Sequence, residues 1–90
     1  MQFEWDDKKN ERNLAKHGLS FAGATLVFLD PDRIEMVDDR KDYDEIRYIT
    51  IGLVNNIIIY VVYTMRGEHY RLISARRANK DERKTYLQHK

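Results

Sequence analysis

Arg76, Arg77, Glu82, Arg83 and Tyr86 crowd the C-terminal end of this chain, and their types suit phosphate chemistry. A guanidinium offers N–H donors in a planar fork that matches phosphate oxygens. A carboxylate can move a proton, and a phenol can donate a hydrogen bond or stack on a base. Arg66 and Arg71 lie just upstream, and Lys16-His17 stand much earlier. Histidine ordinarily exchanges protons near neutrality, so His17 is a candidate acid or base. Each residue also has a plain structural role open to it. His17 and Lys16 suit the carbonyls and dipole at a helix end. Arg71 suits an ion pair with Glu45, Glu68 or another strand carboxylate. Glu82 stands three residues after Asn79, the spacing of a capping box. Arg76 and Arg77 point to opposite sides of a strand, so only one of them can share a face with a given site.

The charge distribution supports a phosphate-binding surface. From Ile46 to Lys90 there are nine Lys and Arg against three Asp and Glu, a net of +6. From Met1 to Glu45 there are seven against twelve, a net of −5, and the overall +1 conceals the split. If Arg66, Arg71, Arg76, Arg77, Arg83 and Lys84 converge they form a phosphate-binding surface, and guanidinium groups from the last hairpin and the last helix are expected to gather into one anion-holding pocket. Asp38, Asp39, Asp42, Asp44 and Glu45 are expected to stay off that surface. The three His are far apart, and no Asp/Glu cluster has metal-loop spacing, so neither a metal nor a cofactor is expected. There is no Cys, which excludes disulfides and thiolate chemistry. The longest apolar run, Ile57 to Tyr63, is too short to span a membrane. The N-terminus lacks the pattern of a signal peptide, so a cytoplasmic protein is expected. Ninety residues suit one domain, residues 1–90.

The elements that must position these groups follow from periodicity. Phe3 and Trp5 alternate with polar residues, as in a short strand. Asp6 or Asp7 can cap a helix to about His17, which Gly18 ends in the left-handed conformation. Ser20 can cap a second helix bearing Phe21, Ala24, Leu26, Val27 and Phe28, closed by Asp30-Pro31-Asp32. Strands are expected over Arg33–Val37, Glu45–Val54, Ile57–Met65 and Glu68–Arg76, with Asn55-Asn56 and Arg66-Gly67 as turns. Asn79 starts a last helix. The order β-α-α-β-β-β-β-α predicts a small α+β domain, a mainly antiparallel meander sheet packed by helices.

Four blocks of residues resemble the BrnT family: Phe3-Glu4-Trp5-Asp6; Asn13 to Phe21; Glu45-x-Arg47-x-x-x-Ile51-Gly52; and Arg71 to Ala78, followed by Glu82-Arg83-x-x-Tyr86. The resemblance implies a RelE-like fold and a ribonuclease toxin of a type II toxin–antitoxin module. It also implies a BrnA-like antitoxin partner, through which alone the toxin would meet operator DNA. Two positions depart from the family. Arg40-Lys41-Asp42-Tyr43 contains no His where members often have one, and Ala22-Gly23 replaces common acidic residues.

RNA can be cut without a metal when the 2′-OH attacks its own phosphate. This needs a base, positive charge at the phosphorane-like transition state and an acid for the 5′-oxygen. Arg76, His17, Glu82 and Tyr86 are the catalytic candidates. Lys16, Arg66, Arg71, Arg77 and Arg83 are the RNA-binding candidates, with Arg77 also suited to face the antitoxin. Asn13, one turn before His17, is placed to orient its ring. The alternatives are a non-catalytic nucleic-acid binder and a module that only docks an antitoxin.

Overall fold

The structure is a computed structural model that describes residues 1–90. Its elements are β1 (Gln2–Glu4), α1 (Asp7–His17), α2 (Phe21–Ala24), a 3-10 helix (Thr25–Leu29), β2 (Ile34–Val37), β3 (Arg47–Val54), β4 (Ile57–Arg66), β5 (His69–Arg77) and α3 (Lys80–His89). The α+β class and the element order are as expected. Five strands form one sheet in the order β1-β5-β4-β3-β2. Strands β2 to β5 are the antiparallel meander. Asn55 and Asn56, both at positive φ (48° and 67°), make its β3–β4 turn. β1 is the exception, pairing parallel to β5 with Gln2 opposite His69. A parallel neighbour needs a long crossover, which the chain between β1 and β5 supplies.

The second helix is shorter than its apolar face suggested. Ser20 caps it through the Gly23 N–H (3.0 Å), but after Ala24 the chain tightens into the 3-10 helix. Glycine at its centre and β-branched Thr25 and Val27 favour that early end. The third strand begins at Arg47 rather than Glu45, because the Asp38 N–H bonds to the Arg47 carbonyl (2.8 Å) and closes the loop there.

Helices α1 and α2 cover one face of the sheet. Phe21, Ala24, Val27 and Phe28 pack there on Ile59, Val61, Tyr63, Leu72 and Ala75. The 3-10 helix comes close because β3 carries Gly52: a Cβ there would lie 2.8 Å from Val27 Cγ2 and 3.0 Å from Arg33 Cβ. On the other face, Ile49, Ile51, Tyr60 and Val62 pack with Ala78 and Tyr86. α3 is short and covers that face only in part. β4 is therefore buried on both sides, as its continuous apolar run predicts.

Candidate active site

The groove that α3 leaves on its face of the sheet has a volume of about 380 Å³. Ile49, Ile51 and Tyr60 form its floor, Asp81, Glu82 and Thr85 one wall, and Met36 to Arg40 the other. Register positions Arg76 beside it. Arg76 lies opposite Tyr60 in the β4–β5 ladder, and its guanidinium sits 3.9 Å from the Tyr60 ring centroid. A bulge at Ile73, between the Val62–Ser74 and Tyr63–Leu72 pairs, precedes this stretch of β5.

Arg76 and Glu82 meet in a two-pronged ion pair, with Nη1 to Oε1 at 2.8 Å and Nη2 to Oε2 at 2.9 Å. Glu82 also accepts the Asn79 N–H (2.9 Å), while Asn79 accepts the Glu82 N–H (2.8 Å). The capping box is thus present, and the same carboxylate contacts the groove arginine. Burial alone would raise the Glu82 carboxyl, but the bonds from Arg76 and Asn79 outweigh it and hold it below its ordinary value. Glu82 is therefore ionised at neutral pH. Arg76 also donates to the Arg77 carbonyl (3.1 Å). That leaves its Nε–H and one Nη2–H without a protein acceptor.

The expected convergence of guanidinium groups is not found. Arg71 is bound to Glu4 (2.6 Å), a strand carboxylate that also meets His69 (3.1 Å). Arg66 is exposed at the β4–β5 turn. Arg77 lies opposite Ile59, on the other side of β5 from Arg76. Arg77 and Arg83 line a separate hollow at the end of the sheet, where Arg83 donates to the Ala78 carbonyl (2.8 Å). The spread follows from strand geometry: residues separated by one position face opposite ways, and β5 is long enough to set Arg71 and Arg76 far apart.

His17 and Lys16 line a third concavity with Lys9, Arg12, Asn13, Ile73 and Ser74, which shares no residue with the groove. Lys9, Arg12 and Lys16 form no ion pair with a carboxylate. Asn13 does not orient His17. It is buried, donating to the Ala75 carbonyl (2.8 Å) and the Leu19 carbonyl (2.9 Å) and accepting the Ala75 N–H (3.0 Å). Tyr86 points inward rather than toward a ligand. It is 1% exposed and donates to Asp30 Oδ2 (2.5 Å). Burial, then Asp30, pushes its hydroxyl up to about 12.

One wall of the groove comes from a segment that carries no sequence signal for it. Asp38 and Arg40 come from the acidic half expected to stay away, yet they line the same space as Tyr60 and Glu82. Half-chain charge counts average over loops, and no local pattern announces where a loop between strands will fold.

Residues 5–82 match the model of BrnT, a ribonuclease toxin of type II toxin–antitoxin systems. The chain belongs to the BrnT family. Membership places it among ribonuclease toxins, and a type II module implies an antitoxin partner. Among curated proteins none matches it. No helix is long and apolar enough to cross a membrane.

Proposed function

We propose that this BrnT chain cuts RNA in the α3 groove without a metal ion, by attack of a substrate 2′-OH on the adjacent phosphate. Arg76 holds that phosphate with its two remaining donors, where charge builds in the transition state. Glu82 takes the 2′-OH proton. The new bond is 2′-O to phosphorus, the bond broken is phosphorus to 5′-O, and the departing 5′-oxygen takes a proton from water. The products are a 2′,3′-cyclic phosphate and a 5′-OH.

The other basic groups have outlying roles in this scheme. His17, Lys16, Lys9 and Arg12 hold flanking phosphates on one side; Arg77 and Arg83 do so at the sheet end, and Arg66 at the hairpin turn. Tyr86 supports α3 from within. A BrnA-like antitoxin neutralises the toxin in the cytoplasm and is its only link to operator DNA.

The contact between Arg76 and Glu82 beside the groove carries this proposal, because it joins a phosphate-binding cation and an ionised base. A second reading, RNA binding without cleavage, draws on the same contact: both Glu82 oxygens already accept hydrogen bonds. Purified protein incubated with a defined RNA in EDTA separates the two. Cleavage to 5′-OH ends supports the proposal. Salt-sensitive retention of intact RNA supports the binder, and 5′-phosphate ends contradict 2′-OH attack.

A further inference from the structure

One guanidinium lines the groove directly, that of Arg40. Arg40 is gripped by Asp38 through Nε to Oδ1 (2.8 Å) and Nη2 to Oδ2 (2.9 Å). The Asp38 side chain is fully buried, whereas that of Arg40 is 60% exposed. Asp38 also accepts the Arg40 N–H (3.3 Å) and the Tyr43 hydroxyl (3.2 Å). A buried carboxylate with this many donors fixes the arginine rather than merely neutralising it. Arg40 keeps both Nη1 hydrogens and one Nη2 hydrogen without a protein acceptor. Arg40 lines the groove together with Tyr60 and Glu82, the two residues that the Arg76 guanidinium contacts. Arg40 thus lines the groove itself, while Arg76 adjoins it through the Tyr60 ring and Glu82, and each arginine is anchored by its own carboxylate.

We propose that Arg40 is a second phosphate-binding residue of the groove, gripping the RNA backbone opposite Arg76, and that Asp38 is the positioning residue that holds it there. This rests on the α3 groove being the RNA site. Two anchored cations at one anion suit a single-stranded phosphate backbone, whose charges are closely spaced. A buried Asp38 commits the fork before the ligand arrives, so little side-chain entropy remains to be lost on binding.

Binding of a short 2′-O-methyl RNA, which cannot be cut by this route, measured by anisotropy across a salt series, tests the proposal alongside cleavage of ordinary RNA. Arg40→Gln is expected to reduce the slope of log affinity against log salt by about 0.7, one single-strand phosphate contact, and to lower kcat/KM by about 10- to 100-fold. Arg40→Lys is expected to restore the slope but not the full rate, because charge returns without the fork. Asp38→Asn is expected to keep most of the slope and lose rate. If Arg40→Gln does not fold, the Lys variant decides, since it must keep the slope and lose rate. A wild-type slope and rate in the variants overturn the proposal while leaving the groove in place. An unchanged RNA slope with weakened antitoxin binding overturns it too, assigning Arg40 to the protein interface. Wild-type protein that neither binds nor cuts RNA overturns the groove assignment along with it.

Discussion

The side-chain amide of Asn13 pairs with both backbone groups of Ala75, the residue before Arg76. It replaces a neighbouring strand where β1, which pairs only with His69 to Arg71, no longer covers β5. One buried amide therefore fastens α1 to the part of β5 that presents Arg76 to the groove. Asn13→Ala would leave the Ala75 N–H and carbonyl buried without partners. A loss of about 2–3 kcal/mol in urea unfolding is expected. Unchanged stability would mean that water replaces the amide.

Gly52→Ala is expected to destabilise by about 1–3 kcal/mol, because the added methyl meets Val27 and the Arg33 Cβ rather than a flexible chain end. The same crowding presses on Asp30, whose carboxylate accepts the Leu53 N–H (2.8 Å) and the Tyr86 hydroxyl. Thermal unfolding measures the loss, and a melting temperature equal to wild type would refute the close approach.

Tyr86→Phe separates a supporting role from a catalytic one. Removing the hydroxyl deprives Asp30 of one donor and should cost about 1–2 kcal/mol of stability. The folded variant should cut RNA within a few-fold of the wild-type rate. A deep loss of rate in a stable variant would place Tyr86 at the substrate after all.

Acid should loosen the Asp38–Arg40 wall. Hydrogen bonds from Arg40 lower the Asp38 carboxyl from 3.8 to about 2. A group depressed on folding stabilises the native state above its unfolded value and loses that contribution as pH falls through the folded value. Stability should therefore decline between about pH 4 and pH 2, and Asp38→Asn should flatten that part of the profile. A profile of unaltered shape in the variant would show that the pair is not formed in solution.

Periodicity and turn chemistry made most of the fold legible. The Asn55-Asn56 turn, the doubly buried β4 and the Asn79–Glu82 capping box all depend on residues close in sequence. The parallel β1–β5 pairing depends on where a long crossover lands, which no local pattern states. The site was legible only in part. Arg76 and Glu82 meet because β5 runs directly into α3, so nearness in sequence becomes nearness in space. Charge and the family blocks group Arg71, Arg77 and Arg83 with them, but distance along β5 separates Arg71, strand alternation turns Arg77 away, and Arg83 on α3 lines the hollow at the sheet end. The acidic neighbours of Arg40 mask it in the sequence, although one of them, Asp38, is what anchors it.

Cleavage of a defined RNA in EDTA by Arg76→Gln and Glu82→Gln proteins, each checked for wild-type folding, is the decisive measurement for 2′-OH attack at the α3 groove. Loss of Arg76 should slow cleavage by about 100- to 1000-fold, and loss of Glu82 should also slow it strongly. Folded variants that cut RNA at the wild-type rate would contradict that mechanism.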